Sequence, residues 1–575
     1  MMKDARSDSF FLIFVLVAAA FVYGAGNWEG FTNPYLINDD VRQQIYWMQE
    51  WIEPGLFQDD FLTEYARDYV PWGVRAVYRI GSLSMNPVRF GNVLTGILYV
   101  LSAALLFGLS LRFRDRLAAL LVVCMFFVLT GFLSKMAGGL SRSFVVPLLL
   151  AYLISLSRRN IRWAALTLMI QPLFNPYVFL LCLTTHAVFL LQNFGMDLAR
   201  RFFTRGETHP AAVSTEAGRA TLSRLLLWNA PILLAFAFMV FKHVFSGSSA
   251  FGHLVTRAEM AGKVEYTAAG RYEFLPDPSF LYELIRPWIF SLPFREWGLV
   301  AGWIGAGLLI VLAVYAIRNW RPVVDLSGFH IFGYLFPASL LLYLAARIFL
   351  AQLFVPRRYI EYSVLLLYCT LAGVFLRVAI ESLGLRRIAF PFLVTGLVLF
   401  GAARSHNVDL YDYSQHEDLY RFLRSTPKTA LVAGHPELMD NVPTFARRKV
   451  FVTYELSHTW IEPFWSTIKK RTYDFFRAYY AQDPEEIRRF CREYGIDYVV
   501  VRDEDFSAER IEREPIYFEP FNAFVREVAR SHSHYAVLDT KSFPPAYKKG
   551  GIRVIQPLFP GFDPTARGTD IQLPH

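Results

Sequence analysis

Two pairs of neighbouring aspartates lie in the polar stretch after the first apolar segment. Asp39-Asp40 open a predicted amphipathic helix, and Asp59-Asp60 follow further along. A carboxylate here could act as a general base for a hydroxyl group, or could bind a divalent cation such as Mg²⁺ or Mn²⁺. The structural alternative is a helix cap, because carboxylates stabilise the positive end of a helix dipole. Asp40 is our first candidate for the base and Asp39 the second. The same two residues are the candidate metal ligands, and Asp59 and Asp60 are candidates for substrate binding.

Three arginines form a second cluster, around a short loop between two later apolar segments. Arg357 and Arg358 precede Tyr359, and Arg347 lies about one turn inside the preceding segment. A charge at the bilayer centre costs about 2.5–3.5 kcal/mol, so ionisable residues in such segments indicate function by default. Converging guanidinium groups suit a phosphate or diphosphate, and we predict that these four residues bind one. The alternative is that the arginines extend to lipid phosphates and pair structurally with Glu361.

The composition of the chain is that of a membrane protein. Of its 575 residues, 54% are apolar, 16% aromatic and 19% charged, and the mean hydropathy is +0.30. Soluble domains are about 45–50% apolar and about 25% charged. The net charge of +9 has no accompanying basic and aromatic patch, which argues against nucleic acid as a partner. The few cysteines offer neither a disulfide framework nor Cys-x-x-Cys metal spacing.

About eleven apolar segments approach the length of about 20 residues that crosses a membrane. Pro172 and Pro176 interrupt the stretch 161–194, which is either one kinked helix or two crossings with a break at Asn175-Pro176. The predicted spans are 10–26, 90–111, 117–134, 143–157, 161–174, 176–194, 223–245, 298–317, 328–350, 359–379 and 388–404.

The distribution of arginine favours two crossings for 161–194. Lys3 and Arg6 place the N-terminus in the cytoplasm, and two crossings then keep the other Arg-rich short loops on that side, whereas Arg357 and Arg358 lie on the outer side against the rule. The first span is expected to be an uncleaved anchor rather than a signal peptide. The cytoplasmic loops would carry Arg112, Arg114, Arg116, Arg158, Arg159, Arg162, Arg200, Arg201, Arg205, Arg219, Arg224, Arg318, Arg321, Arg377, Arg386 and Arg387.

This topology predicts a polytopic α-helical membrane domain and a separate domain outside the membrane. The membrane domain covers 1–404, with long outer loops at 27–89 and 246–297, and an extracytoplasmic α/β domain covers 405–575. Alternating patterns predict the elements of the second domain. They are helices at 419–424, 464–480, 484–494 and 521–531, and strands at 429–434, 449–454, 496–502 and 535–539.

The layout resembles the GT-C class of membrane glycosyltransferases, which includes protein mannosyltransferases, lipid A aminoarabinose transferases and oligosaccharyltransferases. The shared features are a cytoplasmic N-terminus, many spans, an acidic pair in a long first outer loop and a C-terminal outer domain. The strings PRRY at 356–359 and YGIDYVVV at 494–501 are similar to those of uncharacterised bacterial members. The Trp-Trp-Asp signature of oligosaccharyltransferases is absent from the sequence, so transfer to protein asparagine is not expected.

The resemblance implies a sugar donor linked to polyprenyl phosphate, in a bacterial inner membrane. An acidic residue of the first loop would deprotonate or orient the acceptor hydroxyl at the outer face. Basic residues at the same face would hold the leaving phosphate, whose developing charge preorganised donors stabilise. Two alternatives stay open at this point. One is a transporter or polymerase of lipid-linked glycans, and the other is a non-catalytic membrane assembly protein.

Overall fold

Contacts between residues divide the chain into two compact units. The computed structural model describes residues 2–195, 229–237, 251–276, 278–290, 299–320, 324–353, 355–384, 389–532 and 534–557. The first unit comprises Met1–Asp39, Val70–Gly247 and Asp277–Tyr411, and the second comprises Asp40–Tyr69, Ser248–Pro276 and Asp412–His575. The sequence-based boundary at 404/405 assigned both long loops to the membrane domain. The contacts instead group 40–69 and 251–276 with the C-terminal residues.

The first unit is helical, and the chain is a multi-pass membrane protein. Within the described residues, five helices are long and apolar enough to cross a membrane: 8–26, 87–113, 176–193, 326–348 and 357–382. Shorter apolar helices accompany them at 116–128, 141–157, 303–318 and 390–404. The α-helices of this unit are Met2–Gly26, Trp28–Thr32, Trp72–Gly81, Pro87–Ser110, Arg116–Val128, Gly131–Met136, Val145–Ser157, Ile161–Ile170, Pro176–Leu190, 229–237, Phe280–Phe290, Leu299–Arg318, Phe332–Ile348, Arg357–Ser382 and Ala389–Arg404.

Two of the predicted spans break where the local sequence opposes a helix. The break at Asn175-Pro176 is confirmed, because the Asn175 side chain accepts hydrogen bonds from Tyr177 N and Val178 N and begins a new helix. The prediction of one span over 117–134 is wrong. The helix ends at Val128 and restarts at Gly131, after Leu129 leaves the helical conformation.

Some of the predicted features lie outside the described residues. Of the span 223–245, only 229–237 is described, and the loop before this span is not described. Of the arginines predicted for the cytoplasmic loops, those outside the described residues are Arg200, Arg201, Arg205, Arg219, Arg224, Arg321, Arg386 and Arg387.

A buried ion network joins two helices of the first unit. Arg377 is 1% exposed, and its guanidinium lies 3.0 Å from Asp115 Oδ2 and 2.8 Å from Glu381 Oε2. Asp115 also accepts a hydrogen bond from Ala118 N and so caps the helix Arg116–Val128. One arginine thus fixes the helix Arg357–Ser382 against the start of Arg116–Val128.

Replacing Arg377 with Ala should destabilise the protein strongly. The change removes a buried guanidinium and leaves the partly exposed carboxylates of Asp115 and Glu381 without their cation, and each lost hydrogen bond between charged groups costs about 1.5–3 kcal/mol of unfolding free energy. Thermal unfolding of the purified protein in detergent would measure the loss. Arg114→Ala is the matched control, because the Arg114 side chain is 83% exposed and its pair with Asp325 should contribute little. Equal stability of both variants would contradict a stabilising role for the Arg377 network.

The second unit contains a mixed sheet covered by helices. Within the described residues, the strands of the chain are β1 Leu36–Ile37, β2 Gly252–Leu254, β3 Tyr411–Asp412, β4 Leu431–Ala433, β5 Lys449–Val450, β6 Ile461–Pro463, β7 Tyr498–Arg502, β8 Pro545–Lys549 and β9 Ile552–Ile555. The sheet has the order β5-β4-β7-β9-β8, with β5, β4 and β7 parallel and the other pairings antiparallel. The helices are Val41–Gln44, Phe61–Tyr69, Arg257–Met260, Glu417–Ser425, Pro436–Met439, Phe464–Tyr479, Pro484–Tyr494, Ala508–Arg513 and Phe521–Arg530.

Most of the helices and strands predicted for the C-terminal residues are present, and one of these predictions is wrong. The four predicted helices and the strands β4, β5 and β7 occur within a few residues of their expected bounds. The expected strand at 535–539 is instead a 3-10 turn over Ala536–Leu538. The last two strands of the sheet, β8 and β9, form an antiparallel hairpin. Its turn is at Gly550 and Gly551, both with positive φ.

Candidate active site

A group of basic side chains surrounds the first turn of the helix Arg357–Ser382. The helix begins after Pro356, which fits the first turn because the N–H that proline lacks would have no partner within the helix there. The helix dipole favours an anion at such a terminus, but Arg358 N and Tyr359 N already donate to Val355 O and Pro356 O, so the side chains would supply the donors. Arg357 and Arg358 are the first two residues of the helix, and both lie in the first unit.

Glu361, one turn into the same helix, pairs with cations from two elements. Its carboxylate lies 2.8 Å from Lys135 Nζ and 4.0 Å from Arg357 Nε. Lys135 comes from the short helix Gly131–Met136, so the break after Val128 supplies a cation to this group. The three side chains are between 16% and 32% exposed, which leaves each of them accessible to a bound molecule.

Arg358 and Tyr359 belong to this helix turn, whereas Arg347 lies on the helix Phe332–Ile348. The Arg358 guanidinium stacks over the Tyr177 ring, 5.2 Å from its centre, and that ring lies 6.1 Å from the Tyr359 ring. Tyr359 itself is buried and donates a hydrogen bond to Leu353 O. Arg347, in the last turn of Phe332–Ile348, donates to the Tyr343 hydroxyl at 3.2 Å.

Arg142 is hydrogen-bonded to the polar stretch that follows the first apolar helix. Its Nη2 donates to Asn38 Oδ1 at 3.1 Å, and Asn38 also donates to the Asp409 carbonyl at 2.9 Å. The buried Tyr362 lies within electrostatic range of Glu361, Arg358 and Arg142. The residue before Asp39 is therefore hydrogen-bonded to an arginine whose charge acts on the helix Arg357–Ser382.

The other predicted aspartates belong to the second unit. Asp40 Oδ1 accepts a hydrogen bond of 2.6 Å from Gln43 Nε2. Asp59 is exposed and has a left-handed backbone with φ 51°. Asp60 is buried and accepts from Thr63 N and Thr63 Oγ1, so it caps the helix Phe61–Tyr69. Burial raises the pKa of the Asp60 carboxyl, and the hydrogen bonds from Thr63 oppose that shift.

Gln43 leads from Asp40 into a buried polar network of the second unit. Gln43 Oε1 lies 3.1 Å from His458 Nε2, and His458 Nδ1 lies 2.6 Å from the Tyr65 hydroxyl. Burial, with the nearby charge of Arg271, lowers the pKa of His458 to about 3, so this imidazole is neutral. Asp40 is thus hydrogen-bonded to a side chain of the second unit, whereas Asp39 belongs to the first unit, as Arg357 and Arg358 do.

Glu283 is a candidate site residue that the sequence analysis missed. It lies on Phe280–Phe290, is 4% exposed, and is within electrostatic range of Arg286, Glu361 and Arg347. The sequence did contain a signal for it, because Glu283 is an acidic residue inside the apolar run FLYELIRPWIF. An acid in such a run is energetically costly unless it has a function or a partner.

The described residues contain no group of three or more His, Cys, Asp or Glu side chains that could hold a metal ion. Asp39 is the last residue of the first segment of the first unit, and Asp40 is the first residue of the second unit. The divalent cation considered from the sequence stays a prediction.

No protein-family model matches the chain, and no curated protein matches it in sequence. Among solved structures, ArnT from Cupriavidus metallidurans in the apo state has a TM-score of 0.50 at 12% identity, covering 96% of this chain and 98% of that one. ArnT bound to undecaprenyl phosphate has a TM-score of 0.50 at 13% identity, with the same coverage. The Archaeoglobus fulgidus oligosaccharyltransferase has a TM-score of 0.47 at 14% identity, covering 87% of this chain and 70% of that one. The similarity to ArnT establishes the fold, which is the GT-C fold that the motifs resemble.

Proposed function

We propose that this protein transfers a sugar from a polyprenyl-phosphate-linked donor to an acceptor at the outer face of the membrane. One observation carries the proposal: Asn38, the residue before Asp39, accepts a hydrogen bond from Arg142, whose charge acts on Tyr362 in the helix that begins with Arg357. A carboxylate and a phosphate-binding group would then lie in one unit, as the reaction requires. ArnT, which shares the fold, has been crystallised with undecaprenyl phosphate, and this agrees with a lipid phosphate as ligand.

The chemistry assigns separate roles to the two groups. Asp39 would take the proton of the acceptor hydroxyl as its oxygen attacks the anomeric carbon. The bond from that carbon to the phosphate oxygen breaks, and its electron pair remains on the lipid phosphate. Arg357 and Arg358 would stabilise the charge that develops there, and one such donor contributes about 3 kcal/mol. The prenyl tail would remain among the apolar helices, in contact with membrane lipids.

The alternative functions, a transporter and an assembly protein, differ from a transferase in where they require charged residues. A transporter of lipid-linked glycans is expected to carry ionisable residues near the membrane midplane, where its substrate site lies. Here the basic group surrounds a helix terminus instead. A non-catalytic assembly protein would need no such group. We therefore favour the transferase.

Turnover tests the proposal. Purified protein, given a radiolabelled polyprenyl-phosphate sugar and a membrane extract as the acceptor source, should transfer label to acceptor and release polyprenyl phosphate. The Asp39→Asn variant, purified in the same way, is the matched control. Binding of the lipid without any release in the wild type would favour the transporter. Neither binding nor release would favour the assembly protein.

The proposed site requires the predicted topology of about eleven crossings, with the N-terminus in the cytoplasm and the C-terminal residues outside. A phosphatase that is active only outside the cytoplasm, fused after His575, should therefore be active in bacterial cells. A reporter active only in the cytoplasm, fused at the same place, should be inactive. The reverse result with good expression would invert the topology and place Arg357 and Arg358 on the cytoplasmic side.

A further inference from the structure

Glu283 is held between two membrane helices that carry the predicted phosphate-binding arginines. The neighbouring Leu284 packs against Tyr343, Ile360 and Val364, and its carbonyl accepts a hydrogen bond from the Tyr368 hydroxyl at 3.1 Å. The Phe280 ring lies 5.4 Å from the Tyr343 ring. These contacts fix the helix Phe280–Phe290 on both Phe332–Ile348 and Arg357–Ser382.

The Glu283 carboxyl is buried, and one of its two oxygens makes no hydrogen bond. The residue is 4% exposed, and Oε2 has no hydrogen-bond partner. A buried polar atom without a partner costs about 1–3 kcal/mol, and a bound ligand that hydrogen-bonds to it would remove that cost. The charged groups that face Glu283 are Arg286 on its own helix, Arg347 on Phe332–Ile348 and Glu361 on Arg357–Ser382.

We propose that Glu283 is a further ligand-binding residue of the donor site, whose protonated carboxyl donates a hydrogen bond from Oε2 to a phosphate oxygen of the lipid. This inference rests on the proposed function, because it takes the basic group to be the phosphate site. Burial raises the pKa of Glu283, and the charge of Glu361 adds to this, whereas Arg286 and Arg347 oppose it. A protonated carboxyl can donate to a phosphate, whereas an ionised one repels it.

If Glu283 donates a hydrogen bond to the phosphate, the affinity for the lipid should depend on pH. Glu283 is protonated below its raised pKa, and phosphate binding is then favoured. As the pH rises through that pKa, the carboxylate forms and repels the phosphate, so affinity falls. Gln at this position always donates an N–H and never ionises. The ratio of wild-type to Glu283→Gln dissociation constants should therefore be near one at low pH and rise with pH, whatever the titration of the lipid phosphate itself.

The test measures binding of polyprenyl monophosphate to the full-length protein in detergent between acidic and alkaline pH. We expect the ratio to rise at least about tenfold, since a like charge in a desolvated site is strongly unfavourable. Glu283→Ala should bind about tenfold more weakly than Glu283→Gln at low pH, because it lacks the donor. Glu509→Gln, at an exposed position of the second unit, is the control for loss of a carboxylate elsewhere.

Each outcome has a distinct meaning. A ratio that does not change with pH, with saturable binding in both proteins, would overturn the role of Glu283 and leave the proposed function intact. Absence of saturable binding in the wild type at every pH would overturn both. If the variants do not fold, infrared spectroscopy of the wild type decides. The protonated-carboxyl band should shift when the lipid phosphate is added at low pH, and an unchanged band would overturn the proposal.

Discussion

Replacing Asp39 with Asn should lower the rate of sugar transfer about 10²–10⁴-fold, because the amide keeps the shape of the side chain but cannot accept the proton of the acceptor. Binding of the lipid donor and the stability of the fold should change little. The measurement is the initial rate of label transfer at saturating donor, with donor affinity determined in parallel.

Asp40→Asn is the matched control for this prediction. The sequence alone made Asp40 the first candidate, but its carboxylate accepts a hydrogen bond from Gln43 within the second unit. We therefore expect a smaller loss of rate at Asp40 than at Asp39. A large loss at Asp40, with Asp39→Asn active, would restore the original order. Full activity of the double variant would reduce the pair to a loop structure without catalytic function.

Replacing Arg357 or Arg358 with Ala should lower transfer about 10²–10³-fold, the effect of removing one donor to a developing oxyanion. The Lys variants are more informative, because lysine keeps the charge but loses the planar, two-pronged geometry of the guanidinium. Arginines that only extend to membrane lipids should tolerate lysine, whereas a phosphate-binding arginine should not.

The assay is binding of polyprenyl phosphate in detergent, followed by transfer rates at saturating donor. Arg318→Lys is the matched control, because Arg318 is an exposed arginine at the end of another apolar helix. Unchanged donor affinity in both Lys variants, and in Ala variants that remain folded, would move the phosphate site elsewhere.

The sequence predicted the elements with strong local signals. Pro484–Tyr494 was predicted with its observed bounds, because Asp483 caps it and Gly495 ends it with a left-handed backbone. The expected strand at 535–539 was wrong because alternation over so few residues does not separate a strand from a turn. The hairpin at Gly550-Gly551 carried a turn signal, but its first strand, Pro545–Lys549, is too polar to indicate a strand.

The basic residues of the site could be predicted because they lie on the side of the membrane where the predicted topology expects few arginines. Arg357 and Arg358 were identified because they interrupt an otherwise consistent distribution of arginine. The structure shows Arg357 near Glu361, the partner considered from the sequence, and adds Lys135. The division between Asp39 and Asp40 could not be predicted. It depends on long-range packing, since residues 40–69 join a unit whose other parts begin at 248 and 412.

A structure determined with polyprenyl phosphate tests the central claim most directly. The account predicts that the phosphate lies within hydrogen-bond distance of the guanidinium nitrogens of Arg357 or Arg358, with the lipid chain among the apolar helices of the first unit. A phosphate bound at another place, with both of these side chains outside hydrogen-bond distance, would contradict it.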